Sequence, residues 1–249
     1  ILLYQAFGWK SPKFYHLPLL LNIDKTKLSK RQGDVAVEDF LNKGYLQESI
    51  INFVALLGWH PTNNQEIFNL DELINVFSLD RVNKSGAVFD LEKLNWMNKA
   101  YLQNIKLVDL IKRVKIILKN QNFNIDDEQK LYKMIEFAKP RVNTITEITH
   151  EIKKFLKYMP INKDELLKYD YQNLGNLWCD ELEKIQSFDE NIVKSIINLT
   201  NKKLGITGKN LFIPLRLMLI GEKHGPDLYT IINILGQEES IRRIKNINL

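Results

Sequence analysis

A basic segment near the amino terminus contains residue types that bind phosphate. The stretch KTKLSKRQGD, residues 25–34, places four lysines and arginines around one serine. Ammonium groups and a hydroxyl donate hydrogen bonds to phosphate oxygens, and charge-assisted bonds of this kind are strong. If these groups meet the phosphates best in a transition state, they accelerate a reaction as well as binding the ligand. On these residues alone, a solvated basic turn is the better interpretation.

The other candidates for chemistry are weaker. The Gly-Lys pair in GITGKNLF, residues 205–212, lacks P-loop spacing, and Asn210 stands where a Ser or Thr would hold magnesium. We therefore interpret it as the turn that starts a helix. The four histidines are not spaced i, i+4, and Cys179 is the single cysteine. No zinc site is expected in this region.

The basic segment must be positioned by a strand before it and helices after it. KFYHLPLLLN, residues 13–22, predicts a short buried strand. From Val35 onward the apolar spacing is helical, with Asp90 predicted to cap one helix and Pro140 to follow the end of another. We predict a mainly α fold, in which a small α/β part precedes an all-α region.

Composition limits the class of partner. The net charge of +5 and the pI of about 9.0 favour polyanions. No apolar run approaches the roughly 18 residues of a membrane span, so no membrane partner is expected. The single cysteine fits a reducing compartment, and we expect a cytoplasmic protein. Because the chain starts with Ile1 in mid-pattern, we also expect it to be a fragment of a longer protein.

The flanks of the basic segment make its interpretation more specific. HLPLLLNIDKTKLSKRQGDVAVEDFLNKGYLQESIINFVALLGW resembles the region around the second signature motif of class I aminoacyl-tRNA synthetases. The closest match is the bacterial glutamyl-tRNA synthetase family, in which the motif reads KLSKR or KISKR. The resemblance continues to residue 103 and resumes at GKNLFIPLRLMLIGEKHGPDLYTIINILG, whereas residues 105–200 match weakly.

The resemblance implies an activity and a phosphate site. The family activates glutamate with ATP and transfers it to the 3′ end of tRNA(Glu), with ATP and Mg²⁺ bound by the full-length enzyme. Lys27, Ser29, Lys30 and Arg31 match the motif, and Lys30 is expected to contact the ATP phosphates while Lys27 supports loop closure. The first signature motif is absent from this chain, so the fragment alone is expected not to form adenylate.

The resemblance also implies a division of the chain and a tRNA surface. Residues 1–34 would end the catalytic domain, 35–106 would form the stem-contact domain, and 107–163 and 164–249 would form two anticodon-binding helical subdomains. Lys93 and Trp96 would face the tRNA stem, although a core position for Trp96 beside Leu94 or Met97 is the favoured interpretation. The expected partners are tRNA(Glu), glutamate and ATP, and the expected state is a monomer.

Anticodon contacts are implied at both ends of the helical region. Arg216 and the segment that contains Gly225, Pro226 and Leu228 match the family's base-contacting residues. Arg141 matches by position the arginine that separates glutamate from glutamine anticodons. Basic clusters on helices would add phosphate affinity, each with a solvated face as the simpler interpretation: Lys112, Arg113 and Lys115; Lys202, Lys203 and Lys209; Arg242, Arg243 and Lys245.

Three alternatives remain open or are disfavoured. A non-catalytic tRNA-binding module would use the same fold. The shorter paralogue that modifies a tRNA base lacks the helical anticodon-binding region, so residues 107–249 argue against it. A generic helical scaffold explains residues 105–200 equally well but does not explain the KLSKR segment and its flanks. Whether the parent protein also charges tRNA(Gln) is not decided by the sequence.

Overall fold

The computed structural model describes residues 1–29, 36–158 and 162–247, and it is built mainly of α-helices, as predicted. Two strands, β1 (Leu20–Leu21) and β2 (Ala87–Val88), form a parallel pair. The helices are α1 Leu2–Ala6, α2 Val37–Asn42, α3 Gln47–Gly58, α4 Leu70–Val76, α5 Leu91–Asn104, α6 Leu107–Asn120, α7 Glu128–Ala138, α8 Ile145–Leu156, α9 Lys163–Leu166, α10 Tyr171–Glu183, α11 Glu190–Leu204, α12 Lys209–Ile220, α13 Leu228–Leu235 and α14 Gln237–Lys245.

The chain divides into two compact units. The first contains Ile1–Leu110 and Arg141–Glu147, and the second contains Ile111–Pro140 and Ile148–Leu249. Among the described residues, none of the helices combines the length and the apolar character that a bilayer span requires.

The local signals for helix ends were read correctly. Asp90 caps α5, because its Oδ1 accepts from the backbone N–H groups of Glu92 at 2.9 Å and Lys93 at 3.2 Å. Helix α7 ends at Ala138, and the next residues form a short 3-10 turn around Pro140. Gly208 precedes the first residue of α12, which confirms GITGKNLF as a helix-start turn.

The core of the first unit lies between α3 and α5. Phe53 on α3 packs against Phe89, and Phe40 contacts the same ring. A buried amide joins the two helices: Asn98 Oδ1 on α5 accepts from Ser49 Oγ at 2.6 Å and from the backbone N–H of Leu46 at 2.8 Å. These bonds satisfy polar groups that would be costly to bury unpaired, and they set how α5 lies on α3.

Gly44 connects this core to the start of α8. Its carbonyl accepts from the backbone N–H of Ile145 at 3.0 Å, and its φ of +86° lies in the left-handed region that favours glycine. A Cβ at this position would lie 2.6 Å from the backbone nitrogen of Thr146. Both the conformation and the close approach therefore require glycine here.

The prediction of a buried strand over residues 13–22 is wrong. The strand comprises only Leu20–Leu21, and the apolar side chains before it, including Phe14, Leu17 and Leu19, are exposed. Among the described residues, β1 pairs only with β2 on one edge and with the returning chain at Lys27 and Leu28 on the other. Apolar composition predicted burial, but burial needs a covering layer, and these residues do not have one here.

The second unit is a helical assembly with α10 and α14 packed at its centre. Trp178 on α10 is fully buried, and its indole N–H donates to Thr200 Oγ1 on α11 at 3.1 Å. Arg243 on α14 is also buried, with 1% of its surface exposed. Apolar packing and a small number of satisfied polar groups thus join these helices.

Candidate functional site

The basic segment leaves the sheet through an ordered hairpin. Asp24 Oδ1 accepts from the backbone N–H and the hydroxyl of Thr26, at 2.9 and 2.6 Å. These two bonds, led by the one from the hydroxyl, lower the pKa of the Asp24 carboxyl. Lys25 has a φ of +65°, and the Asn22 N–H donates to the Thr26 carbonyl at 2.8 Å. The turn is therefore closed by side-chain and backbone bonds before the KLSKR residues begin.

Strand β1 makes backbone hydrogen bonds along both of its edges, and the returning chain of the hairpin lies on one of them. The carbonyls of Leu19 and Leu21 accept from the backbone N–H groups of Ala87 and Phe89, whereas the carbonyl of Leu20 faces the other way and accepts from the Leu28 N–H at 2.9 Å. Lys27 forms an antiparallel bridge with Leu21 and has an exposed side chain. The fold thus presents the Lys27 ammonium on an ordered backbone, next to the partly buried Ser29. Lys30 and Arg31 lie outside the described residues.

On α5, the two predicted stem-contact residues have different environments. Lys93 forms an ion pair with Glu66. Trp96 is 50% exposed, so the favoured interpretation of Trp96 as a core residue is wrong. The neighbours Leu94 and Met97 point into the core, and at about 100° per residue Trp96 lies roughly 160° from Leu94 and roughly 100° from Met97, on the outward face of the helix. The structure thus leaves a large aromatic surface available on the helix.

Arg141 lies at the end of the 3-10 turn between α7 and α8, in the first unit, and its side chain is exposed. The other predicted anticodon residues belong to the second unit.

The structure brings Arg216 into contact with the segment that follows α12. Arg216 Nε donates to the carbonyl of Pro226 at 2.8 Å, and its guanidinium carbon lies 5.7 Å from the Phe212 ring centre. Pro226 and Leu228 are buried, while Gly225 is exposed. A Cβ on Gly225 would meet Ile220 at 3.0 Å. Arg216 therefore fixes the backbone of the segment whose exposed residues would meet a ligand.

We call residues 221–227, between α12 and α13, the 221–227 turn. Gly221 ends α12 in the left-handed conformation with φ of +75°. Asp227 caps α13, with its carboxylate accepting from the backbone N–H and the hydroxyl of Thr230 at 2.8 and 2.7 Å. Both ends of the turn are therefore held by local bonds.

Sequence reasoning missed the ion pairs that hold the middle of this turn. Glu222 pairs with Lys154 of α8 at 2.9 Å, and Lys223 pairs with Glu165 of α9 at 3.0 Å. The partners lie roughly 60 residues away in the sequence, so neither periodicity nor a short motif could indicate them. The charged pattern EKH in the turn was the one local signal.

Several members of the predicted basic clusters are already paired. Lys115 bonds Glu128, Lys203 lies 3.8 Å from Glu181, and Lys245 lies 2.6 Å from Glu183. Arg243 is buried, so its assignment to a basic surface cluster is wrong. Its charge is used inside the protein, because Arg243 Nε donates to Glu239 Oε1 at 2.7 Å.

Metal ligands do not gather in the part of the chain that the structure describes. No group of three or more His, Cys, Asp or Glu side chains there is arranged to hold an ion. The Cys179 thiol is buried, and burial raises its pKa to about 11, which disfavours the thiolate needed for nucleophilic or metal chemistry.

Comparison with known proteins identifies the class. Residues 1–96 match the family model of the catalytic domain of class I tRNA synthetases (E and Q), and residues 99–248 match an anticodon-binding domain. The chain belongs to this class I family, and within it to the bacterial glutamyl-tRNA synthetases, whose carboxy-terminal portion it matches.

Individual relatives agree with this assignment. The chain is 39% identical over 256 residues to a glutamate–tRNA ligase of Carboxydothermus hydrogenoformans, covering 99% of this chain and 53% of the relative. It is 40% identical over 250 residues to that of Finegoldia magna, covering 98% and 51%. A crystal structure of a glutamate tRNA ligase from Elizabethkingia meningosepticum in complex with its amino acid superposes with a TM-score of 0.80 at 33% identity, covering 98% and 53%. The chain thus spans about half the length of the relatives it matches.

Proposed function

We propose that this chain is the anticodon-reading part of a glutamate–tRNA ligase and that it also carries the phosphate-binding loop. The observation that carries the proposal is the Arg216–Pro226 bond, which orders the 221–227 turn inside the segment that matches an anticodon-binding domain. Single-stranded bases are read by stacking and by hydrogen bonds from ordered backbone and side-chain groups. An exposed Gly225 beside a held carbonyl provides a backbone surface of that kind.

The complete ligase would activate glutamate with ATP and transfer it to the 3′ end of tRNA(Glu). Lys27 fits a phosphate ligand, because its ammonium is exposed on the ordered β1 hairpin and can donate to phosphate oxygens. We assign Ser29, Lys30 and Arg31 to the same loop on the KLSKR match. Magnesium would neutralise phosphate charge in the complete enzyme, and the described residues supply no ligand cluster for it.

The tRNA would be contacted over a longer surface. Trp96 offers an exposed ring and Lys93 a nearby cation for the tRNA stem. Arg141 would separate glutamate from glutamine anticodons. Residues 107–163 and 164–249 would form the two helical subdomains. We further propose that the protein is cytoplasmic and monomeric. Light scattering coupled to gel filtration of the chain checks the monomeric state.

The test is binding of two RNA transcripts at fixed salt. We expect the 249-residue chain to bind a glutamate tRNA transcript more tightly than a copy that carries a glutamine anticodon. Arg216→Lys keeps the charge but loses the planar fork that holds Pro226 and presents donors, so it should lower the affinity ratio about tenfold. Arg242→Lys, at an exposed arginine on α14, is the matched control and should leave the ratio unchanged. Equal affinities for the two transcripts in the unmodified chain would contradict the proposal.

Two further measurements separate the parts of the proposal. Arg141→Gln should relax the choice between the two anticodons, and an unchanged ratio would remove Arg141 from the site. The chain alone should show no ATP–pyrophosphate exchange, whereas the complete gene product should show it. A complete gene product without exchange would favour the alternative, a non-catalytic tRNA-binding module with the same fold.

A further inference from the structure

The 221–227 turn is held from outside by two charged groups of opposite sign. The Lys154 ammonium on α8 contacts Glu222 at 2.9 Å and Glu151 at 2.8 Å. The Glu165 carboxylate on α9 contacts Lys223 at 3.0 Å and Lys168 at 2.7 Å. Each outside group therefore bonds one residue of the turn and one residue of its own neighbourhood.

Both outside groups are largely withdrawn from solvent. The side chains of Lys154 and Glu165 are each 11% exposed, whereas their partners in the turn are more exposed. Water and salt screen such pairs less than fully exposed ones, and removal of one partner leaves the other poorly compensated. The bonds of Lys168 and Lys223 lower the pKa of the Glu165 carboxyl, so this group is charged at neutral pH.

Resting on the function proposed above, we propose that Glu165 and Lys154 are positioning residues for anticodon selectivity. Lys154 holds Glu222 and Glu165 holds Lys223. These two turn residues directly precede His224 and Gly225, which are exposed. Together with the Arg216 bond to Pro226, the two ion pairs fix the turn before RNA arrives. A surface ordered in advance loses less conformational entropy on binding and discriminates better between similar ligands.

The proposal predicts that two binding properties change in opposite directions. Replacing Glu165 with Gln removes one negative charge and leaves Lys168 and Lys223 without their carboxylate. The added positive charge should raise the affinity for any RNA. It should also steepen the salt dependence of binding, by at most the slope that about one further phosphate contact gives. The loosened turn should lower the ratio of affinities for the glutamate transcript and its anticodon-swapped copy by about fivefold. Loss of folding would instead lower both affinities.

A matched control exists in the same unit. Glu181 is 19% exposed at its side chain and contacts two lysines, Lys184 at 2.8 Å and Lys203 at 3.8 Å, but it has no bond to the turn. Glu181→Gln therefore makes the same change in charge and frees the same number of lysines. We expect it to raise overall RNA affinity as Glu165→Gln does, while the selectivity ratio stays at the wild-type value.

The experiment measures both transcripts at three salt concentrations for wild type, Glu165→Gln and Glu181→Gln. A lower ratio for Glu165→Gln alone supports the proposal, and equal ratios for the two variants overturn it. If Glu165→Gln melts below the assay temperature, Glu222→Gln, which breaks the second pair at a more exposed residue, replaces it under the same criterion. A wild-type chain that does not discriminate between the transcripts refutes the proposed anticodon function instead, so the two failures are distinguishable.

Discussion

The buried Arg243 offers the sharpest test of what holds the second unit together. Its Nη1 donates to the carbonyls of Lys154 at 2.9 Å and Leu219 at 2.7 Å, and its Nη2 donates to the carbonyl of Phe155 at 2.8 Å. These carbonyls lie in the last turns of α8 and α12, where helix carbonyls lack intrahelical partners. One guanidinium on α14 thus satisfies the ends of two other helices.

Arg243→Met keeps much of the buried volume but removes all of these donors. Unpaired buried carbonyls cost about 1–3 kcal/mol each, and removing one member of a buried charged network costs about 3–5 kcal/mol in total. We therefore expect the free energy of unfolding of the second unit to fall by about 3–5 kcal/mol. For a unit of this size the midpoint should fall by about 10 °C or more.

Arg242→Met is the matched control, because Arg242 is the adjacent arginine and bonds the same carboxylate, Glu239, at 2.6 Å. Its side chain is exposed, and exposed pairs contribute about 0–1 kcal/mol. Urea unfolding followed by circular dichroism and by Trp fluorescence measures both variants. Equal losses of stability for the two variants would refute the argument that the buried carbonyl bonds, rather than the ion pair, are the stabilising contribution.

Three other predictions concern single groups. Hydrogen bonds from Arg242 and then Arg243 lower the pKa of Glu239 from 4.5 to about 2 despite partial burial. The contribution of the Glu239 carboxylate to stability should therefore be complete above about pH 4.5 and should be lost as the pH falls toward 2, at a cost of about 2–3 kcal/mol. Acid titration of the Glu239→Gln variant should lack that loss. Gly44→Ala should lower the free energy of unfolding by about 2–4 kcal/mol, because it combines left-handed backbone strain with a collision at Thr146. Gly205→Ala is the control, since that position is strained but has open space around it, and it should cost about 1 kcal/mol. Equal urea midpoints for the two variants would contradict the collision. Asp90→Ala should cost about 1 kcal/mol through loss of the α5 cap, and an unchanged urea midpoint would show that the cap is dispensable.

Local features of the fold were predictable because their causes are local. Asp90 caps α5 through bonds to residues two and three positions away, and Pro140 follows the end of α7 through its effect on the preceding residue. The helical apolar spacing predicted after Val35 holds in α6, where Leu110, Val114 and Leu118, four residues apart, are buried. Such signals require only a short window of sequence.

The candidate site was predictable in part for a different reason. A matching motif located Arg216 and Pro226 in the sequence, and in the structure Arg216 Nε donates to the Pro226 carbonyl oxygen at 2.8 Å. Spacing alone could not have shown that the guanidinium holds the Pro226 carbonyl. Trp96 illustrates the opposite case, because its apolar character favoured the core and the structure exposes it.

The sequence by itself determined the helical character, the helix ends and the KLSKR segment, because periodicity, capping and motif spacing act over a few residues. The tertiary structure alone decided which charges face solvent. Lys154 and Glu165 hold a turn 58 or more residues further along the chain, and Arg243 is buried against the ends of α8 and α12. A charge enters the interior only where packing brings it polar partners that offset its desolvation. Those partners come from distant segments, and only the folded chain places them together.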